Sequence, residues 1–192
     1  MGDSASSACV LVSCAALFPT LSGRIHETQN GALMAFLYSL CLLFQQHYPE
    51  MGSHQRANVC KYEHEIRVEA TKNGIEPELL AAVIFVESSF HTEVVSSANA
   101  CGLTQVVPRW TGGKETKKIK YTCKQLKNPI TSIKVGAQIL SYNTRVYAKG
   151  HRDKGLCYYN AGMKCITKKG FYKKSKYVKK VRRVYAKIVG GC

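Results

Sequence analysis

The run Leu79-Leu80-Ala81-Ala82-Val83-Ile84-Phe85-Val86 constrains this chain more than any other feature. It follows Pro77 and Glu78, and Pro77 suits the first turn of a helix, where an N–H has no intrahelical partner to lose. A helix that is apolar on every face has no side to show to water, so other elements must wrap it. The neighbouring patterns supply that wrapping. Glu63 to Asn73 reads as a helix with Ile66 and Ala70 four apart, ended by Gly74. Thr131 to Lys149 reads as a long helix, with Ile133, Ala137, Leu140 and Tyr147 near helical spacing and Gly150 at its end. Ser175 caps a last helix, whose stripe of Val178, Val181, Val184, Tyr185 and Ile188 opposes Lys179, Lys180, Arg182, Arg183 and Lys187. Asn99 to Gln105 and Tyr158 to Gly162 read as turns, and Trp110 to Gly113 as a loop. No alternating strand pattern exceeds four residues, so the fold is expected to be mainly α.

Directly after the apolar run stands Glu87. Burying a carboxylate costs several kcal/mol, about 2 or more, unless it is paired or keeps its proton. A Glu held protonated at the edge of a core is what a general acid requires. A Glu on an exposed, frayed helix end would have the same sequence, and the helix pattern alone leaves both readings open.

Charge divides the chain. Residues 1–60 carry two cations and three anions, whereas residues 114–192 carry 22 cations against two anions, a net of +20. The whole chain has a formal charge of +16. Such an excess speaks of anionic partners rather than of fold, and it excludes an acidic calcium-binding protein. Among the nine cysteines no C-x-x-C pair occurs, which makes zinc ribbons and thioredoxin-type sites improbable. Six cysteines lie from Cys60 onward. Cys157 and Cys165, separated by eight residues across Asn160-Ala161-Gly162, are the pair best placed to bond; buried reduced thiols are the alternative. No metal cluster or phosphate-cradling loop is visible, so no metal or other cofactor is implied.

The change in character sets an expected boundary near Cys60: an apolar N-terminal extension with linker over 1–60, and a second domain over 61–192. Two apolar stretches, Cys9–Phe18 and Gly31–Phe44, mark the extension. The second is too short to span a bilayer as a helix, which takes about 20 residues. It suits a membrane-seeking or packing segment, with membrane contact through 31–44. His47 to Arg56 reads as a linker.

Beyond Glu87 the chain carries a series of short elements in order. Glu87-Ser88-Ser89-Phe90 comes first, then Gly102-Leu103-Thr104-Gln105, then Asn128-Pro129 and Ile133-Lys134-Val135-Gly136-Ala137. Tyr159-Asn160-Ala161-Gly162 and Tyr177-Val178-Lys179-Lys180-Val181 follow. Together they resemble the catalytic domain of the soluble lytic transglycosylases, relatives of goose-type lysozyme, over about residues 62–189. Each element alone is weak, but five in order with fitting spacing are specific. The resemblance implies a lysozyme-like helical domain, to which the apolar stretches add an N-terminal apolar helical extension. It makes Glu87 the general acid and then the base. Ser88, Ser96, Gln105, Tyr159 and Asn160 become substrate-binding residues, and Gly102 and Gly162 allow close turns. The chain departs from the family pattern at Asn99, where Gly is usual, at Thr104, where Met is usual, and at Cys157-Tyr158. Lys173 stands where an acid is common.

After Glu87 the only acids are Glu93, Glu115 and Asp153, none of them where the resemblance would put a nucleophile. Ordinary glycosidases use two carboxylates. A single one fits a lytic transglycosylase that cleaves peptidoglycan glycan strands between N-acetylmuramic acid and N-acetylglucosamine, leaving a 1,6-anhydro ring. Hydrolysis of the same bond, as by goose lysozyme, is the alternative. The setting expected is a phage virion acting in the host periplasm, with virion proteins as partners. The second setting is a bacterial periplasmic or membrane-associated enzyme serving a secretion apparatus. A basic nucleic-acid-binding or structural virion protein is the reading from a different class, and the solvated arrangement of the lysines disfavours nucleic acid as main partner.

Overall fold

The computed structural model describes residues 39–112, 120–166 and 175–190, which all fall within one compact unit, Tyr38–Gly191. Its helices are α1 (Leu40–His47), α2 (Ser53–Lys72), α3 (Pro77–Ser88), α4 (Cys123–Leu126), α5 (Pro129–Tyr142), α6 (Arg152–Ala161) and α7 (Lys176–Gly190). Among the described residues there are only two isolated β-bridges, Val95 with Cys101 and Cys101 with Val106. The expected mainly helical class is what the chain adopts.

Helix α3 is the axis. Leu79 to Ile84 are all buried, and α3 packs most extensively against α7, with α2 also in contact. The stripe on α7 behaves as its spacing predicts: Val178, Val181, Val184 and Ile188 are buried, while Lys179, Lys180, Arg182, Arg183 and Lys187 are exposed. Each buried valine contributes roughly 1.5–3 kcal/mol of transfer free energy, enough to fix the helix that lies across α3. Caps fix the element ends. Ser175 Oγ accepts from Val178 N–H at 3.0 Å, and Asn128 Oδ1 accepts from Thr131 N–H at 3.1 Å just ahead of Pro129. Gly74, at φ +65°, closes α2.

Three features differ from the sequence expectation. Helix α2 begins at Ser53, so part of the expected linker is helical and the expected boundary at Cys60 falls inside a continuous helix. Leu40 and Phe44, from the end of the apolar stretch 31–44, are fully buried in the main core, Phe44 packing edge-on against Phe90 at 5.3 Å. The cue that hid α1 from a sequence reading is its cap. Glu63 lies 23 residues away from Leu40, and its carboxylate accepts from Ser39 Oγ at 2.7 Å, Leu40 N–H at 2.8 Å and Cys41 N–H at 3.1 Å. Burial alone would raise the pKa of Glu63; the bonds from Ser39, Cys41, Leu40 and Arg67 outweigh it and hold the group below its usual range.

The helix expected over 131–149 begins at Pro129 and is α-helical only to Tyr142, continuing as a π turn over Asn143–Tyr147. The turn expected over 158–162 is mostly helix, because α6 runs to Ala161 and only Gly162 turns, at φ +57°. Residues 1–38, including the stretch Cys9–Phe18, and most of the lysine-rich stretch after Gly113 lie outside the described residues. No helix among the described residues is long and apolar enough to cross a membrane.

Among the described residues, three disulfides join Cys41 to Cys60, Cys101 to Cys123 and Cys157 to Cys165. The third is the pair expected from spacing. The first ties α1 to α2, and the second ties the loop after α3 to α4.

Candidate active site

Glu87 occupies the last turn of α3, one residue past the apolar run and partly buried. Burial pushes its carboxyl up from 4.5 to about 7, and the hydroxyl of Tyr177 offsets this only in part. The carboxyl is therefore largely protonated below neutrality and able to ionise just above it. The backbone beyond it turns sharply: Ser89 and Phe90 both have positive φ, 49° and 63°, a conformation that a bulky aromatic adopts only under constraint. The constraint is visible. Phe90 is fully buried, and its carbonyl accepts from Asn58 Nδ2 on α2 at 2.9 Å.

Two tyrosines share the environment of Glu87. Tyr159, near the end of α6, donates its hydroxyl to the carbonyl of Thr104 at 2.7 Å. Its pKa is raised, first by burial and then by the charge of Glu87. Tyr177, in the first turn of α7, has a buried hydroxyl with no partner at bonding geometry. Burial, Glu87 and Tyr159 all raise its pKa, so it stands near Glu87 as a neutral phenol. The three groups come from three helices: α7 packs on α3, and α6 packs on α7 and α5.

The loop between α3 and α5 completes the surroundings. Asn99, Gly102 and Gln105 take left-handed φ values of 60°, 75° and 47°. Asn99 thus fills the place of the usual Gly, as its tolerance of that region predicts. Gly102 is required on two counts, since a Cβ there would sit 1.9 Å from the carbonyl oxygen of Leu126. Thr104, fully buried, replaces the usual Met with a polar clasp. Its hydroxyl donates to Ser132 O at 2.8 Å, its N–H donates to Ser132 Oγ at 3.1 Å, and its side chain lies where Gly136 leaves room.

The expected substrate-binding residues are distributed unevenly. Ser88 is buried and donates its hydroxyl to Leu103 O at 2.8 Å, so its visible work is to hold the loop onto α3. Ser96 Oγ accepts from Ala100 N–H at 3.1 Å within the turn. Gln105 donates its amide nitrogen to Gly102 O at 2.9 Å and Val94 O at 3.1 Å. Asn160 is exposed, one residue past Tyr159. Tyr177 is the residue that sequence reasoning passed over. It stood in the closing Tyr-Val element without a role, although an aromatic in the first turn of a helix packed on α3 was the available signal.

Glu93 is 75 % exposed and pairs with Lys127 at 3.3 Å; Asp153 pairs with Arg182 at 3.3 Å. Each of these acids is thus paired with a cation, and Glu115 lies outside the described residues. Two surface hollows lie elsewhere. One of about 440 Å³ is lined by Arg152, Asp153, Arg182 and Tyr185, and one of about 350 Å³ by His54, His91 and Glu93. Neither is lined by Glu87, whose raised pKa and tyrosine neighbours mark the candidate centre better than cavity size does. Among the described residues no cluster of three His, Cys, Asp or Glu could hold a metal ion.

Comparison with known proteins bears on the same region. Residues 64–181 match the family model described as the transglycosylase SLT domain. Curated relatives include membrane-bound lytic murein transglycosylase C of Histophilus somni, 28% identical over 152 residues, covering 73% of this chain and 42% of that protein. The protein of the same name from Haemophilus influenzae is 28% identical over 177 residues, covering 86% of this chain and 47% of that one. The one from Haemophilus ducreyi is 35% identical over 108 residues, covering 54% and 29%. The chain thus spans less than half the length of these relatives. Among solved structures, an inactive mutant of lytic transglycosylase Slt from Pseudomonas aeruginosa superposes with a TM-score of 0.48 at 22% identity, covering 66% of this chain and 20% of that one.

Proposed function

Because the chain belongs to the transglycosylase SLT domain family, we propose that it is a peptidoglycan lytic transglycosylase with Glu87 as its single catalytic acid and base. One observation carries this reading: a carboxyl raised to about 7 by burial, with two neutral phenols in its surroundings and the other described acids after it paired with cations. Protonated Glu87 gives its proton to the oxygen linking N-acetylmuramic acid to N-acetylglucosamine as the bond breaks. The substrate's own acetamide stabilises the positive charge that develops on the muramyl ring. Glu87, now anionic, takes the proton of the muramyl 6-hydroxyl, which closes the 1,6-anhydro ring and restores the acid. Tyr159 and Tyr177 stay neutral throughout and supply dipoles rather than charge. In this reading Ser96, Gln105 and Asn160 contact the sugar, and Ser88 and Gly102 shape the loop that carries Gln105. Hydrolysis by water instead of the 6-hydroxyl would use the same acid and is the second reading.

Three disulfides suit an oxidising compartment, which supports action in the periplasm. The curated relatives are named membrane-bound, in keeping with a resident envelope enzyme. Delivery by a phage virion would bring the domain to the same compartment, and neighbouring genes separate the two: capsid and tail genes, or secretion genes. A zymogram on purified peptidoglycan tests the activity. Clearing by the wild type that is lost in Glu87→Gln supports the reading, and clearing by both would refute the site.

A further inference from the structure

We infer that the outer face of α7 is a docking surface for the carboxylate-bearing stem peptides of the wall polymer, separate from the groups that act on the glycan. The inference rests on the activity proposed above. The helix Lys176–Gly190 holds Lys176, Lys179, Lys180, Arg182, Arg183 and Lys187 and no acidic residue. All six are exposed. Their placement works against the helix. Lys176 and Lys180, Lys179 and Arg183, and Arg183 and Lys187 are like charges four apart, which repel. Lys176 and Lys179 also sit at the N-terminal end, where the helix dipole disfavours cations. A face selected only for solubility mixes both signs. Here the nearby acids are few: Asp153 pairs with Arg182 at 3.3 Å, Glu50 and Arg183 both lie close enough to Tyr48 to act on it, and Glu76 is engaged with Arg152 at 2.7 Å. Among the described residues, Lys176, Lys179 and Lys180 have no ion-pair partner.

The chemistry of the face selects its partner. The apolar stripe of α7 is buried against α3, and of its larger apolar side chains only Val189 is exposed, so the helix has no face to insert into a bilayer. Tyr177 and Tyr185 are both partly buried, and Arg152 covers the ring of Tyr185, so no aromatic row is offered to nucleic-acid bases. A polymer whose charges are carboxylates spaced along a chain needs only the cations. From Lys176 to Lys187 the row runs roughly 16 Å along the helix. It starts one residue from Tyr177, whose side chain lies near Glu87, so the row begins beside the candidate centre.

The test uses the full chain carrying Glu87→Gln, which removes cleavage, in a pelleting assay on intact sacculi at physiological salt. Adding Lys179→Gln, Lys180→Gln and Arg183→Gln is expected to weaken binding by about tenfold or more, with a shallower salt dependence. Replacing the two lysines by Arg instead keeps the binding, and helical content measured by circular dichroism shows that the Gln variant is folded. On glycan strands stripped of peptide by an amidase, the charge variant and its parent bind alike. Unchanged binding to sacculi, or an equal loss on stripped strands, overturns the inference. So does an effect confined to anionic vesicles or DNA. If the sacculus result holds while the wild type forms no cleavage product, the proposed activity fails and the docking surface stands.

Discussion

Replacing Glu87 by Gln should change the stability of the protein in a pH-dependent way. Gln is nearly isosteric with the protonated carboxyl and cannot ionise. The rise of the Glu87 pKa from 4.5 to about 7 means that the folded protein disfavours the carboxylate by about 3 kcal/mol relative to the unfolded chain. The sign follows from proton counts. Between pH 4.5 and 7 the native state keeps a proton that the unfolded state has lost, so stability falls as pH rises through this window. Below pH 4.5 the group is protonated in both states and the penalty vanishes; above about 7 the penalty is complete and constant. Every other titrating group is common to the two proteins, so the difference between them isolates Glu87. The variant and the wild type should therefore have similar stability at pH 4. By pH 8 the variant should be the more stable by up to about 3 kcal/mol, which for a chain of this length is roughly 6–12 °C in Tm. Urea or thermal unfolding at pH 4, 5.5, 7 and 8.5 reads the difference. Parallel profiles would refute the argument that Glu87 is buried without a compensating charge.

Tyr177→Phe removes a buried hydroxyl with no partner at hydrogen-bond geometry, so at pH 4, where Glu87 keeps its proton, stability should be unchanged or higher by about 1 kcal/mol. The same hydroxyl partly lowers the pKa of Glu87, so the alkaline limb of the activity profile should move to higher pH in the variant; a limb that stays in place would show that the two groups do not communicate. Gly102→Ala should destabilise by about 3 kcal/mol or more, because φ is +75° and the new methyl would meet the Leu126 carbonyl at 1.9 Å; chemical denaturation that finds less than about 1 kcal/mol would contradict this packing.

The parts of the fold that the sequence showed are those in which one physical effect dominates. The run Leu79–Val86 could only be a buried helix, and the valine stripe of α7 could only face it. Glu87 was legible for the same reason, as a charge placed where the apolar pattern stops. What stayed hidden depends on contacts distant in the chain. Helix α1 is capped by Glu63, more than twenty residues on, so no local start signal marks it, and the cut near Cys60 followed a change in charge that has no structural counterpart in α2. The end of the α5 pattern gave no sign of a π turn, since Asn143–Tyr147 keep apolar spacing compatible with either ladder. Tyr177 joined the site only when α7 packed on α3. Ser88 shows the opposite case: the family resemblance implied substrate contact, whereas its hydroxyl donates to Leu103 O.

The central claim is that one carboxyl group, Glu87, cleaves the glycan by an intramolecular route. Mass spectrometry of the products from purified peptidoglycan tests it most directly. The account predicts muropeptides ending in 1,6-anhydro-N-acetylmuramic acid, absent when Glu87→Gln is used. Products with ordinary reducing ends and no anhydro form would contradict it.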